Sequence, residues 1–222
     1  EITRCLEFRR VLFRSGVPLT FGQVDKLSED FAAYLQSLGL QKGDRIAIQM
    51  PNVLQFPVAF FGALRAGLIV VNTNPLYTPR EMEHQFKDSE AKAIVIVANF
   101  AHSLEKIIAH TSIKHVIVTQ LGDMLGGLKG TIVNFVVKHI KKMVPAYSLP
   151  MAVSFNDALK KGASLSLSKP TLTPNDTAVL QYTGGTTGIS KGAQLSHGNL
   201  VAHNSMVTFW FHPFLKQHPG IQ

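Results

Sequence analysis

The residues of this sequence that are best suited to chemistry lie between Tyr182 and Ala193, in the segment YTGGTTGISKGA. The ten residues from Thr183 to Gly192 include four glycines, four threonines or serines and one lysine. Glycines let the backbone fold so that successive N–H groups surround an anion, hydroxyls add neutral donors, and a lysine adds a mobile positive charge. This combination predicts a binding site for a polyphosphate.

Better-known phosphate loops fit this segment less well. A Walker loop requires a glycine directly before its lysine, and Ser190 occupies that position. The dinucleotide fingerprint G-x-G-x-x-G also fails, because Gly184 and Gly185 are adjacent. A simple glycine-rich hairpin turn has no need of three threonines and a lysine, so it is the weaker interpretation.

The elements ahead of this segment alternate between helical and strand patterns. Capping boxes predict three helix starts, at Thr20 with Gln23, at Asn52 with Gln55 and at Thr78 with Glu81. A further helical pattern runs from Phe100 to His110. Apolar, β-branched runs predict strands at DRIAIQM, LIVVN, KAIVIV, HVIVTQ and TAVLQYT. Continuous apolar strands that alternate with helices predict an α/β fold with a mostly parallel sheet flanked by helices.

A basic amphipathic segment follows the fourth of these strands. After the glycines of Gly122 to Gly130, a helix is predicted over Thr131 to Val144, with apolar residues along one arc and Lys138, Lys141 and Lys142 opposite. Two interpretations stay open for this helix. It docks on the domain with a solvated basic face, or it lies on an anionic membrane surface as a peripheral contact.

The composition limits the classes of function. The chain has 222 residues, of which 45% are hydrophobic and 16% charged, and this indicates a globular protein. The formal net charge is +8, but neither basic cluster contains interleaved aromatic residues, so no nucleic-acid partner is predicted. The single cysteine, Cys5, and the lack of a secretory signal favour the cytoplasm, at the inner face of the cell membrane if the basic helix binds lipid.

The segment Tyr182 to Gly192 resembles the phosphate-binding signature Y-T-[SG]-G-T-T-G-x-x-K-G of adenylate-forming enzymes. Together with the stretch MPNVLQFPVAFFGALRAGLIVVNTNPLYTPREMEHQFKDSEAKAIVI, it makes the chain similar to the bacterial long-chain fatty-acid:CoA ligases of that superfamily. Gly185 agrees with this subgroup, whereas Ser190 stands where many relatives have proline. The similarity runs from about Leu19 to His203.

The resemblance implies a reaction and a set of ligands. A long-chain fatty acid would be activated by ATP, with Mg²⁺, to an acyl-adenylate and then transferred to coenzyme A. Twelve residues are assigned to ATP binding: Tyr182, Thr183, Gly184, Gly185, Thr186, Thr187, Gly188, Ile189, Ser190, Lys191, Gly192 and Ala193. Glycine and threonine amides and hydroxyls would cradle phosphate oxygens, and Lys191 would follow the β- and γ-phosphates.

The resemblance assigns no catalytic residue and no metal ligand within this sequence. In family members the adenine contact, the magnesium-binding glutamate, the ribose-binding aspartate and the catalytic lysine come later in the chain. We therefore expect residues 16–222 to be a partial N-terminal AMP-binding domain, inactive without the C-terminal domain. Residues 1–15 do not resemble the family and are interpreted as a non-native or unrelated leader, with a divergent native helix as the alternative.

Other functions also stay open. One is a non-catalytic nucleotide-binding module with the same loop, another is a different acyl- or aryl-CoA synthetase, and a third is a basic membrane-surface protein whose loop is incidental.

Ser196 is predicted as the N-cap of a helix that carries His197 and His203. The polar loop of Asn72, Asn74, Tyr77 and Arg80 is assigned to turn structure.

Overall fold

A computed structural model describes residues 10–12, 17–183 and 190–217 of the chain, and side chains within 17–183 and 190–212. The strands are β1 (Arg10–Leu12), β2 (Pro18–Thr20), β3 (Arg45–Gln49), β4 (Ile69–Asn72), β5 (Ala93–Val97), β6 (His115–Thr119), β7 (Ala152–Ser154), β8 (Thr177–Thr183) and β9 (Lys191–Ser196). The helices are α1 (Phe21–Ser37), α2 (Gln55–Arg65), α3 (Pro79–Asp88), α4 (Ala101–Glu105), α5 (Gly127–Phe135), α6 (Phe155–Gly162) and α7 (His197–Gln217).

Seven of the strands form one twisted sheet in the order β7-β6-β5-β3-β4-β8-β9. Every neighbouring pair is parallel except β8 and β9, which are antiparallel. Strands β1 and β2 form a separate antiparallel pair. The predicted α/β class with a mostly parallel sheet flanked by helices is therefore confirmed.

The inner strands β3, β4, β5 and β6 are buried on both faces, which explains their apolar runs. Along β5, Val95 faces the core cluster that includes the α1 and α2 side chains, whereas Ile94 and Ile96 face the cluster that includes the α3 and α4 side chains. All three are completely inaccessible to solvent. Alternate β5 residues thus contribute to two separate hydrophobic layers.

Two of the three predicted capping boxes are present. The Gln23 N–H donates to Thr20 Oγ1 at 3.1 Å and the Thr20 N–H donates to Gln23 Oε1 at 2.8 Å, so α1 begins as predicted. Thr78 and Glu81 make the same reciprocal pair at the start of α3. The Thr78 hydroxyl and the Thr78 N–H both donate to Glu81 Oε2, and these two hydrogen bonds lower the pKa of Glu81.

The box predicted for Asn52 and Gln55 is wrong. Helix α2 begins at Gln55 after Leu54, which makes no side-chain capping bond. The Gln55 side chain is used elsewhere, because its Nε2 donates to Thr119 Oγ1 at 3.1 Å and to the Gln120 carbonyl at 2.8 Å. The Gln55 side chain therefore contacts the end of β6 and does not cap the helix as the local pattern predicted.

The helical patterns further along differ from prediction in their bounds. The pattern over Phe100 to His110 is broken into α4 and flanking 3₁₀ turns at Ala98–Phe100 and Ile108–His110. The basic helix begins at Gly127, earlier than predicted, and continues as a π-helix over Val136–Ile140. Among the described residues, no helix combines the length and the apolar content needed to cross a bilayer.

Candidate phosphate-binding site

The described stems of the predicted loop are the carboxyl end of β8 and the start of β9. The stems on either side of it are paired, with Tyr182 opposite Gly192 and Thr183 opposite Lys191. The structure therefore brings together the predicted site residues on the two stems, namely Tyr182, Thr183, Ser190, Lys191, Gly192 and Ala193. The other six, Gly184, Gly185, Thr186, Thr187, Gly188 and Ile189, lie outside the described residues.

A hydrogen bond joins the two stems at the base of the loop. Ser190 Oγ donates to the Thr183 carbonyl at 3.0 Å. Lys191 is exposed and forms no ion pair with any of the described side chains. Its ammonium is consequently available to an anionic ligand at this end of the hairpin.

The pairing of Tyr182 with Gly192 depends on the small size of glycine. A β-carbon at position 192 would lie 3.0 Å from Cε2 and Cζ of the Tyr182 ring, closer than ordinary van der Waals contact. The ring is almost fully buried, and its hydroxyl donates to a carboxylate oxygen of Asp88. Burial and the Asp88 carboxylate both raise the pKa of Tyr182, so the phenol stays protonated and remains a donor at physiological pH.

Strand β9 was not expected from the sequence. Its residues Lys191 to Ser196 are exposed or half-buried and carry no run of β-branched side chains. Because β8 and β9 are antiparallel neighbours, the loop occupies the position of a hairpin connection, an interpretation that the sequence had made the weaker one. The topology is thus that of a hairpin, and it does not conflict with phosphate binding.

A cavity of about 400 Å³ opens beside the stems, at the carboxyl ends of β3, β4 and β8. It is lined by neutral side chains, namely Ile48, Met50, Phe56, Asn72, Thr73, Asn74, Tyr77, Gln181 and Tyr182. Ligands of open parallel sheets usually bind at this edge. Because Tyr182 lines this cavity and also belongs to the β8 stem, we treat the cavity and the two stems as one candidate site.

The polar loop after β4 has the structural role that was expected, and also borders the cavity. Asn74 Oδ1 accepts a hydrogen bond from the Leu76 N–H at 3.0 Å, which stabilises the turn. Asn72 Nδ2 donates to Gln181 Oε1 at 3.0 Å and so links β4 to β8.

At the start of α7, the Asn199 N–H donates to Ser196 Oγ at 3.2 Å, which confirms the predicted N-cap.

Comparison with known proteins identifies the family. A sequence profile described as "AMP-binding enzyme" matches residues 5–219. The chain belongs to the AMP-binding enzyme family. This match confirms the family resemblance that the Tyr182 to Gly192 signature predicted.

The curated relatives of this AMP-binding chain include long-chain-fatty-acid–CoA ligases. The ligase of Escherichia coli O6:H1 is 58% identical over 206 residues, 92% of this chain and 36% of that protein. The ligase of Haemophilus influenzae is 52% identical over 211 residues, 95% of this chain and 38% of that protein. The chain thus spans little more than a third of the length of these relatives.

Solved structures confirm the fold. A crystal structure of a long-chain-fatty-acid-CoA ligase from Archaeoglobus fulgidus matches 89% of the chain with a TM-score of 0.66 and 23% identity, and the match covers 34% of that protein. ATP-bound MatB from Rhodopseudomonas palustris matches 95% of the chain with a TM-score of 0.69 and 22% identity, covering 37% of that protein. The AMP-binding chain therefore has the fold of the corresponding third of these enzymes.

Proposed function

We propose that the chain supplies the triphosphate-binding part of an ATP-dependent long-chain fatty-acid–CoA ligase. The observation that carries the proposal is the position of the two stems of the signature, which lie at the carboxyl end of the interior strand β8 and beside a cavity. The 52 to 58% identity with bacterial long-chain-fatty-acid–CoA ligases supports the choice of substrate class. ATP, a long-chain fatty acid and coenzyme A are the proposed substrates.

The proposed reaction has two halves. A fatty carboxylate attacks the α-phosphorus of ATP, which gives an acyl-adenylate and pyrophosphate, and the coenzyme A thiol then displaces AMP. The first half needs no general base, because a carboxylic acid is already ionised near neutral pH. Negative charge increases on the departing pyrophosphate, so donors placed at that end stabilise the transition state.

The residues of this chain have binding roles in that scheme. Lys191 would follow the β- and γ-phosphates, and the amides and hydroxyls of Gly184 to Gly188 would cradle the same oxygens. The hydrogen bond between Ser190 and Thr183 holds the two ends of the loop together, so that these donors need little reorganisation. We assign none of these residues to proton transfer.

The described residues do not provide an obvious magnesium site. Within them, no group of three or more histidine, cysteine, aspartate or glutamate side chains converges at one point. Carboxylates are the usual protein ligands of Mg²⁺, and the cavity beside the loop is lined by neutral groups. We therefore assign no Mg²⁺ ligand among the described residues and derive no step through the metal.

Fatty-acid-dependent exchange between ATP and pyrophosphate tests the proposal. The full-length polypeptide that contains this chain is expected to exchange labelled pyrophosphate into ATP with palmitate, and to form palmitoyl-CoA when coenzyme A is added. Exchange with acetate or benzoate but not with palmitate would contradict the substrate class. No exchange with any carboxylic acid, despite stabilisation by ATP, would favour a non-catalytic nucleotide-binding module.

We also propose that the basic helix makes a peripheral contact with an anionic membrane. Its largest apolar side chains are exposed, Leu128 by 81%, Phe135 by 57% and Ile140 by 63%, instead of docking on the domain. Leu128, Ile132 and Phe135 are spaced four and three apart, so they share one side of α5. Ile140 follows after five residues, the spacing of the π turn in which the Lys141 N–H bonds the Val136 carbonyl at 2.8 Å.

The charges around this helix match a negative surface. Residues 124–156 contain no aspartate or glutamate, while Lys138, Lys141 and Lys142 are all exposed. An apolar side flanked by lysines is the arrangement by which interfacial helices bind anionic lipid. Such a contact would place a cytoplasmic enzyme at the inner face of the membrane, where fatty acids concentrate.

Reversing these charges should release the protein from vesicles. The triple variant Lys138→Glu, Lys141→Glu, Lys142→Glu of the full-length polypeptide is expected to bind phosphatidylglycerol-containing vesicles at least about tenfold more weakly, since each lysine near such a surface contributes about 1 kcal/mol. Vesicle flotation measures the bound fraction. The matched control changes Lys106, Lys114 and Lys161 to glutamate, which alters net charge equally. Equal loss in both variants would contradict a specific contact.

A further inference from the structure

We propose that helix α3 sets the position of both stems of the phosphate loop, with His84 and Asp88 as its positioning residues. The inference rests on the proposed function, because it concerns how the loop is held for ATP. His84 and Asp88 are four residues apart, so they lie on the same face of α3. One residue contacts the β8 stem and the other contacts the β9 stem.

Asp88 holds the first stem through Tyr182. The Tyr182 hydroxyl donates to Asp88 Oδ2, and the residues are 94 positions apart in the chain. Burial and the carboxylate keep the phenol protonated, so this donor is present throughout the physiological pH range. Since Tyr182 immediately precedes Thr183, the bond fixes β8 where the loop begins.

His84 holds the second stem through the backbone. Its Nε2 lies 3.3 Å from the carbonyl oxygen of Ser190, a contact that requires hydrogen on Nε2 because the carbonyl can only accept. Ser190 directly precedes Lys191. The histidine is half-buried, and its partner is a main-chain atom, so the contact controls the backbone where the lysine emerges.

Helix α3 is itself held in place by the core, by β4 and by its N-terminal cap. Met82 and Phe86 are completely buried in the core on its inner side. Gln85 Nε2 donates to the Asn72 carbonyl at the end of β4, 2.9 Å away. The Thr78 capping box fixes its first turn. Core packing and the β4 contact thus fix the helix, and the two α3 contacts fix the paired stems relative to β4 and the core.

Because the two α3 contacts hold the stems of the phosphate loop, their loss should impair the use of ATP more than it impairs the rest of the protein. Moving either stem changes where Lys191 stands relative to the triphosphate, and small displacements of positioning groups lower rates strongly. The proposed scheme gives these stems a contact with the triphosphate and assigns them none with the fatty acid. Loss of α3 contacts should therefore lower kcat/KM for ATP while leaving KM for the fatty acid unchanged.

Paired substitutions in the full-length polypeptide test the inference. Asp88→Ala and His84→Leu, which remove the contacts, are each expected to lower kcat/KM for ATP about tenfold. Asp88→Asn keeps an acceptor for the Tyr182 hydroxyl and His84→Gln keeps a donor for the Ser190 carbonyl, so both should stay within about threefold of the wild type. Glu83→Gln, on the same helix but paired with Lys87, is the matched control.

The outcomes separate this inference from the proposed function. An unchanged kcat/KM for ATP in Asp88→Ala and His84→Leu would overturn it, as would an equal rise in KM for palmitate. Failure of the conservative variants to restore ATP use would also count against it. A wild-type polypeptide without ATP-dependent ligase activity would overturn the proposed function itself, whereas activity that is insensitive to all these variants would overturn only the role of α3.

Discussion

Replacing Lys191 by alanine in the full-length polypeptide should lower palmitate-dependent exchange between ATP and pyrophosphate by about 10²- to 10³-fold. Lys191 is the one lysine of the signature, it stands where β9 begins, and its ammonium pairs with none of the described carboxylates. In the proposed reaction, a point charge at this place would compensate the negative charge that develops on the departing pyrophosphate. Initial-rate measurements at saturating palmitate and varied ATP would reveal the loss.

The matched control for Lys191→Ala is Lys161→Ala, since Lys161 is an exposed lysine on α6 and forms no ion pair within the described part of the chain. This control should keep the wild-type rate. Lys191→Arg preserves the charge but presents it as a planar fork, so an intermediate rate is expected. Retention of wild-type exchange by Lys191→Ala would remove the basis for a triphosphate site at this loop.

Thermal stabilisation by nucleotide separates the remaining functions. A ligase or a non-catalytic nucleotide-binding module should be stabilised by ATP, and Lys191→Ala should lose that stabilisation because it binds the ligand more weakly. A membrane-surface protein with an incidental loop should bind anionic vesicles without any response to ATP. Fatty-acid-dependent exchange then distinguishes the ligase from the module.

Local patterns in the sequence were sufficient wherever a feature depends on neighbouring residues. The capping boxes at Thr20 and Thr78 and the N-cap at Ser196 each involve two residues three apart, and the structure has all three. The apolar strands were recognisable because strands that are buried on both faces are continuously apolar, without the alternation of apolar and polar residues seen in half-buried strands. The signature around Lys191 was recognisable because chemistry requires its residue types in a fixed order.

Contacts between distant segments account for what the sequence could not predict. Gln55 left its expected cap because Thr119 and Gln120 compete for its side chain from the end of β6. Strand β9 pairs with β8 although its own residues lack the apolar pattern of a strand. The contact of Tyr182 with Asp88 joins residues 94 positions apart, so no local spacing indicates it. These long-range contacts include the ones that hold the site.

A close contact between two helices leads to the largest expected effect on stability. Gly162→Ala should lower the free energy of unfolding by about 2 to 3 kcal/mol, because a β-carbon at this position would lie 1.9 Å from the Asp30 carbonyl oxygen. That oxygen belongs to the backbone of α1, so it cannot rotate away as a flexible side chain would. Helices α1 and α6 would have to separate, which would loosen the packing of Phe31 on Phe155, whose ring centroids are 5.0 Å apart.

The control for Gly162→Ala is the same substitution at Gly22, in the first turn of α1. A β-carbon there would have Thr20 Oγ1 as its nearest neighbour, 4.0 Å away. Alanine forms helices better than glycine by up to about 1 kcal/mol, so Gly22→Ala should leave stability unchanged or raise it. Urea unfolding followed by circular dichroism compares the two. If the free energy of unfolding falls for Gly162→Ala and rises for Gly22→Ala, the destabilisation comes from the contact between α1 and α6. If it rises for both variants, helix propensity outweighs this contact.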